Sequence, residues 1–228
     1  MLDEKGYFDK LITLNQKELP SLTETWQDAI DAAIWSQVLV ATGTVTRDIS
    51  EQPYQKVVLA GTANADTARL LTTVSWQLAP DTWGLNTFQK SLVMEWECKF
   101  DTVASIENTG FFMGLGAAVG ATRAATNIAG FILTADALNV ITDDAVGETV
   151  SAVGAPVLTN WMKLKILAYG ACIEFYVNEV MQARHTTAAG EDLPDVNAYG
   201  IFYVPQEAGA NGGELHVATT NIRPGVIA

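Results

Sequence analysis

Two glutamates that alternate along one predicted strand are the residues best placed to do chemistry in this sequence. Glu95 and Glu97 stand two positions apart, so their side chains are expected on the same face of a strand. A pair of carboxyl groups can supply the acid and the base of glycoside hydrolysis. Residues two apart on a strand have Cα atoms about 6.6 Å apart, whereas retaining hydrolysis needs carboxyl groups about 5–5.5 Å apart.

Lys99 is the next residue on the same predicted face. Its ammonium group favours the ionised form of a neighbouring carboxylate, which is unsuited to donating a proton. We therefore expect a solvated strand face at these positions, no catalytic residue and no enzymatic activity.

The remaining reactive residue types do not form a cluster along the chain. His185 and His216 are the only histidines, and a catalytic zinc site usually needs three protein ligands. Cys98 and Cys172 lie 74 positions apart, which is no metal-ligand spacing, so we expect free, buried thiols. We predict no metal and no cofactor.

Acidic residues near position 140 leave one alternative open. Asp143 and Asp144 are consecutive, and Asp136 and Asn139 lie close by, so their oxygens could ligate calcium. Consecutive aspartates between two strands more commonly form a turn, and a turn is the interpretation that we favour.

Composition excludes several classes of function. The 228 residues are 49% hydrophobic and carry a formal net charge of −13, with 13 basic and 26 acidic residues. Binding nucleic acid requires clustered Lys and Arg, so nucleic acid is not an expected partner. No apolar stretch is long enough to cross a membrane, and the N-terminus lacks the pattern of a secretory signal, which predicts synthesis in the cytoplasm.

From Trp35 onward the hydrophobic pattern has a period of two, in runs separated by Gly, Asn, Asp and Pro. About a dozen such runs predict an all-β fold, a two-sheet antiparallel jelly-roll sandwich spanning residues 34–228. The run 91–101 is the clearest strand. We expect a core that includes Met94, Trp96, Phe100, Phe175 and Val177.

Residues 1–33 lack this period of two and are predicted to form a short N-terminal arm that is partly helical. Ser21 and Glu24 fit a capping box, and Leu22, Trp26 and Ile30 would share one face of a helix over 22–33. That face could contact another subunit or a capsid, or pack against its own domain.

Part of the sequence resembles a known family. The runs 160–166 and 173–178 are similar to the late hairpin of concanavalin A-like jelly rolls, the lectin, glucanase and laminin-G-like folds, and runs 95–100 and 111–115 resemble their central strands. Glu179 departs from the pattern, because the hairpin turn there usually carries Gly. Some relatives hydrolyse polysaccharides with an E-x-D-x-E motif, in which Lys99 takes the place of the third carboxylate.

The arm and composition also resemble tailed-phage virion proteins. The favoured hypothesis is therefore a non-enzymatic virion structural protein, a capsid decoration or head-fibre protein. It would form a homo-oligomer such as a trimer and bind the major capsid protein. One alternative is a module that binds a cell-surface glycan, stacking sugar rings on exposed aromatic residues, namely Trp83, Tyr169, Tyr176 and Tyr203. A second alternative is a glycoside hydrolase that uses Glu95 and Glu97.

Overall fold

The computed structural model describes residues 22–26, 29–50, 55–61, 66–77, 90–117, 123–169, 171–194, 197–206 and 212–226. Fifteen strands run through these ranges: β1 Leu22–Glu24, β2 Trp35–Val40, β3 Thr44–Asp48, β4 Lys56–Ala60, β5 Thr67–Gln77, β6 Lys90–Asp101, β7 Phe112–Gly116, β8 Ile128–Thr134, β9 Ala137–Asp143, β10 Glu148–Ala152, β11 Met162–Tyr169, β12 Cys172–Val177, β13 Val180–Thr186, β14 Asn197–Pro205 and β15 Glu214–Val226. Single 3-10 turns lie at Val103–Ser105 and Thr187–Ala189.

The strands form two antiparallel sheets, as the alternating sequence pattern predicted. The eight-stranded sheet has the order β13-β12-β11-β6-β15-β4-β3, with β1 also paired to β15. The seven-stranded sheet has the order β10-β9-β8-β7-β14-β5-β2. The two sheets enclose one core, which confirms the predicted sandwich. None of the helices that the structure describes is long and apolar enough to cross a membrane.

The core between the sheets contains the five residues that the sequence predicted, each no more than 5% exposed: Met94, Trp96, Phe100, Phe175 and Val177. Trp96, on the central strand β6, meets Phe131 and Phe202 of the opposite sheet edge to face, with ring centroids 5.6 and 5.9 Å apart. Edge-to-face contacts of this kind add to the free energy gained from burial alone. They fix the two sheets against each other beneath the outward face of β6.

The helix predicted over 22–33 is wrong. Leu22 begins a short strand and pairs with Ile222 of β15. The carboxylate of Glu24 accepts the backbone N–H groups of Thr25 and Trp26, so it does not reach back to cap a helix. Trp26 has a left-handed φ of 56°, which is incompatible with a right-handed helix.

The apolar side chains of this segment are used within their own domain. Trp26 is fully buried and packs on Trp35 with ring centroids 5.3 Å apart. Leu22 is also buried, and Ile30 packs against the same core. Leu22 and Trp26 are therefore not exposed for the subunit or capsid contact that the sequence suggested. The domain boundary at residue 33 stays a prediction.

The hairpin between β12 and β13 has the usual two-residue turn geometry, although Glu179 stands where glycine is usual. Asn178 and Glu179 are its two central residues, and both have a left-handed φ, 49° and 66°. Positive φ at both positions is the signature of a type I′ turn. Glu179 thus adopts a backbone conformation that usually favours glycine.

Candidate functional site

The outward face of the eight-stranded sheet carries a row of polar residues centred on β6. Glu95 and Glu97 point away from the core because their neighbours Met94, Trp96 and Cys98 point into it. In the adjacent strands Glu95 pairs with Lys165 of β11 and Asn221 of β15. The predicted solvent face of β6 is therefore confirmed, and it is a polar surface continuous across three strands.

A shallow depression of about 250 Å³ lies over this row. Glu95 and Glu97 lie in its wall, together with hydroxyl, amide and charged side chains from β1, β11, β15 and the β12–β13 turn: Thr23, Thr25, Lys163, Glu179, Thr219 and Asn221. These groups donate and accept hydrogen bonds, so the depression is suited to a ligand rich in hydroxyl groups.

The charges around the depression are partly paired. Nη2 of Arg223 lies 3.3 Å from a carboxylate oxygen of Glu95, and Nζ of Lys165 lies 3.0 Å from Glu179. Within the described ranges no ion pair or hydrogen bond is found for the side chain of Glu97. The two central carboxylates therefore differ in environment, one held by a guanidinium group and the other open.

Lys99 contacts an aromatic ring on the same face of the sheet. Its ammonium group lies over the ring of Trp161, 5.1 Å from the centroid, in a cation–π contact. The cation that contacts Glu95 is instead Arg223, from a strand more than 120 residues away.

A second polar cluster adjoins the depression on the same face. Glu174 of β12 is only 8% exposed, and one of its oxygens accepts a hydrogen bond from the hydroxyl of Tyr169 at 2.6 Å. The other oxygen accepts the hydroxyl of Tyr176. Nε of Arg184 lies 3.6 Å from the same carboxylate, so a buried negative charge has three donors or counter-charges around it.

These hydroxyl groups remain protonated over a wide pH range. The hydrogen bond to Glu174, followed by burial, raises the pKa of Tyr169. Burial, followed by the hydrogen bond to Glu174, raises the pKa of Tyr176 to about 12. Both tyrosines are therefore neutral donors to the carboxylate near neutral pH.

The four aromatic residues predicted for sugar stacking do not all fall on this face. Tyr169 and Tyr176 do, beside the depression. Tyr203 lies on β14 of the other sheet, with the guanidinium of Arg69 4.6 Å from its ring centroid. Trp83 lies outside the described residues. Glu174 and Arg184, which organise the two tyrosines, were missed. Strand alternation alone places Glu174 beside Tyr176, but the approach of Tyr169 and Arg184 to Glu174 depends on the fold.

The outward face of the seven-stranded sheet is different in character. It carries a second apolar cluster in which every member is at most 2% exposed: Leu71, Phe112, Ile128, Ile132, Ile141 and Ile201. The strands β7 and β8 are consequently buried on both faces. In the described residues the polar depression therefore belongs to the eight-stranded sheet.

The histidines occupy structural positions. His185 is 1% exposed and lies between the sheets, where its ring nitrogens contact the hydroxyls of Thr142 and Ser151 at 2.8 and 2.9 Å. Nε2 of His216, on β15, lies 2.7 Å from a carboxylate oxygen of Glu214. The described residues contain no group of three His, Cys, Asp or Glu side chains that could hold a metal ion.

The aspartates near position 140 shape a turn. An oxygen of Asp143 accepts the N–H groups of Asn127 and Ala145, and an oxygen of Asp144 accepts those of Val146 and Gly147. These carboxylates are used to stabilise backbone donors, which favours the turn over the calcium alternative.

Both cysteines are free and buried, as predicted. Cys98 points into the core, and burial raises the pKa of its thiol. Cys172 lies on the outward face, where its sulfur accepts a hydrogen bond from Nε of Arg184 at 3.1 Å.

Comparison with known proteins gives matches of fold only. No family model matches the chain, and no curated protein matches it. A β-glucanase from Bacillus licheniformis superposes with a TM-score of 0.58 at 9% identity, over 89% of this chain and 97% of that one. The catalytic domain of a Thermotoga maritima laminarinase gives a TM-score of 0.61 at 10% identity, over 92% and 99%. The fold is a concanavalin A-like jelly roll.

A third similar structure is a glycoside hydrolase family 16 endo-glucanase from Bacteroides ovatus, with a TM-score of 0.57 at 9% identity, over 88% of this chain and 99% of that one. These three similar structures are thus named as a glucanase, a laminarinase and an endo-glucanase. The expectation of a non-enzymatic capsid decoration or head-fibre protein was wrong on this comparison. The burial of Leu22 and Trp26 also removes two of the three side chains proposed for that contact.

Proposed function

We propose that this protein acts on a polysaccharide, which it binds in the depression of the eight-stranded sheet and hydrolyses with Glu95 and Glu97. The observation that carries the proposal is the position of these two carboxylates, side by side on the central strand of a polar depression. The similar structures named as glucanases and a laminarinase support it, because those proteins act on polysaccharides and share the fold.

The row of side chains across the strands suits an extended sugar chain. Asn221, Glu95, Lys165 and Tyr176 follow one another on β15, β6, β11 and β12. Adjacent strands lie about 4.8 Å apart, so the row runs roughly 14 Å from first to last Cα. A chain of several sugar units lying across the strands would meet a new polar side chain at each step.

The two carboxylates take different roles in the proposed reaction. Glu95 lies beside Arg223, whose positive charge stabilises a carboxylate anion, so Glu95 is the base that accepts a proton from the attacking water. Glu97 is the acid that gives its proton to the glycosidic oxygen as that oxygen leaves. One bond from carbon to the water oxygen forms, the carbon–oxygen bond to the leaving sugar breaks, and the proton count balances.

The roles assigned to the two carboxylates predict the stereochemistry of the product. A base that activates water while an acid protonates the leaving oxygen is the arrangement of an inverting glycosidase, whereas a retaining enzyme first forms a covalent bond to one carboxylate. We therefore expect inversion at the anomeric carbon.

The test is hydrolysis of laminarin and of mixed-linkage β-glucan by the wild-type protein, measured as new reducing ends. Glu95→Gln and Glu97→Gln should each lower kcat by roughly 10²–10⁴-fold, the usual contribution of a general acid or base. Proton NMR of the first product formed should show inverted anomeric configuration.

Glu148→Gln is the matched control, because Glu148 is an exposed glutamate on β10 of the other sheet. It should leave the rate unchanged. Hydrolysis that survives both Glu95→Gln and Glu97→Gln would overturn the assignment of these residues. A wild-type protein that releases no reducing ends from either glucan would overturn hydrolysis of this substrate class.

A further inference from the structure

Two tyrosines are held in fixed positions beside the depression by one buried carboxylate. Tyr176 and Glu174 are two apart on the outward face of β12, and Tyr169 lies at the end of the neighbouring strand β11. Their hydroxyls donate to the two different oxygens of Glu174. The tyrosines therefore lie on either side of Glu174, and each ring is tethered at its far end.

This arrangement is continuous with the proposed sugar site. Tyr176 pairs in register with Lys165, which pairs in register with Glu95. Nζ of Lys165 lies 4.2 Å from the ring centroid of Tyr176. Two strand spacings, about 10 Å, separate the Cα atoms of Tyr176 and Glu95, a distance that a disaccharide spans.

We propose that Tyr169 and Tyr176 form an aromatic subsite that stacks on a pyranose ring of the bound chain, next to the units held in the depression. This inference rests on the proposed function and extends it to the length of chain recognised. A pyranose presents a face of C–H groups, which packs on the electron-rich face of an aromatic ring, while its hydroxyls remain in water.

The buried carboxylate explains why such a subsite would be effective. A tyrosine ring that is already held in one orientation loses little side-chain entropy when a ligand stacks on it. More of the favourable contact energy therefore contributes to the free energy of binding. Burying a carboxylate is costly unless donors surround it. Glu174 has two hydroxyls and the guanidinium of Arg184 for this purpose.

Binding of laminaritriose and laminarihexaose by isothermal titration calorimetry tests the subsite. All variants are made in the Glu97→Gln background, so that the probe is not cleaved. Tyr169→Ala and Tyr176→Ala should each weaken hexaose binding by roughly three- to tenfold, the range of one aromatic contact. Triose binding should change less, because a chain of three units can occupy the depression in positions that do not reach the tyrosines, whereas a hexaose extends past them.

Milder variants separate stacking from loss of folding. Tyr176→Phe keeps the ring and removes only the hydroxyl that Glu174 anchors, so it should weaken hexaose binding less than Tyr176→Ala. Tyr203→Ala, on the other sheet, is the control and should bind both sugars as the parent does. Near-UV circular dichroism and thermal unfolding identify any variant that has lost its fold.

The outcomes distinguish this inference from the proposed function. Unchanged hexaose affinity in folded Tyr169→Ala and Tyr176→Ala variants would overturn the subsite and leave hydrolysis standing. Binding of hexaose that depends on the tyrosines, in a wild-type protein that cleaves nothing, would support the subsite and overturn hydrolysis. Absence of binding to either sugar would overturn both.

Discussion

Nε2 of His185, on the eight-stranded sheet, lies 2.9 Å from the hydroxyl oxygen of Ser151, on the seven-stranded sheet. The other ring nitrogen contacts the hydroxyl of Thr142 at 2.8 Å, also on the seven-stranded sheet. One buried imidazole thus bridges strands β13, β10 and β9. It joins the two sheets beside Phe175, at the end of the aromatic core. The ring centroids of Phe175 and His185 lie 5.4 Å apart.

Protonation of His185 should destabilise the fold. Burial lowers the pKa of this histidine, and the negative charge of Glu191 opposes that shift only in part. Below the ordinary histidine pKa of about 6.5, the unfolded chain therefore binds a proton that the folded protein does not. The free energy of unfolding contributed by His185 is fully present above that pH and decreases as the pH falls toward the lowered folded value.

Urea unfolding at pH 7.5 and pH 5.5 measures this effect. His185→Gln should be less stable than wild type at pH 7.5, because the glutamine does not fill the same site, but its stability should change less between the two pH values. Ser151→Ala keeps the imidazole and should retain the wild-type pH dependence. Equal pH dependence in wild type and His185→Gln would contradict the prediction.

Truncation of Trp96 should be among the most damaging core substitutions. The side chain is 2% exposed and contacts Phe131 and Phe202 across the sandwich. Trp96→Ala should lower the free energy of unfolding by about 3–5 kcal/mol, since it removes a large buried aromatic group and leaves a cavity. Val157→Ala, at a side chain 62% exposed, should change it by less than about 0.5 kcal/mol. Chemical denaturation of the two variants gives the comparison.

The sequence predicted the sandwich because strands such as β6 and β11 alternate in hydrophobicity. Strand β6 places Met94, Trp96 and Phe100 inside and Glu95 and Glu97 outside, and no tertiary contact was needed to see this. The region 38–46 was harder to interpret. It is rich in β-branched residues on both sides of Gly43, yet β2 ends at Val40 in one sheet and β3 begins at Thr44 in the other. The change of sheet is made at Ala41, whose φ is 55°, a local feature that periodicity does not reveal.

The sequence predicted the two carboxylates of the site but not the arginine beside them. The carboxylate pair was visible because its members are two residues apart, whereas Arg223 approaches Glu95 from 128 positions away. The capping-box pattern at residues 21–24 predicted a helix that does not form, because that pattern also reflects only the local sequence. Pairing of Leu22 with Ile222 and burial of Trp26 outweigh a local helix preference that is marginal for so short a segment.

Replacing Glu179 by glycine should stabilise the β12–β13 hairpin. Glu179 has a φ of 66°. This left-handed conformation destabilises a non-glycine residue by about 1–2 kcal/mol. Its ion pair with Lys165 is exposed and contributes roughly 0–1 kcal/mol. Glu179→Gly should therefore raise the free energy of unfolding by about 0.5–1 kcal/mol. Glu179→Gln, which removes the charge and keeps the strain, should not; thermal unfolding that ranks the two in the opposite order would refute the explanation.

The N-terminal segment should behave as part of the sandwich rather than as a separable arm. Trp26 is fully buried on Trp35, its carbonyl oxygen accepts a hydrogen bond from Nε of Arg47 at 2.7 Å, and Leu22–Glu24 extend the sheet beside β15. Trp26→Ala should lower the free energy of unfolding by about 3–5 kcal/mol, and deletion of residues 1–33 should lower it further, because it also removes β1. Asp31→Asn, a change at an exposed position of the same segment, should have little effect.

Denaturation midpoints of these variants test the prediction. A truncated chain as stable as the full one would mean that the segment covers the domain without stabilising it.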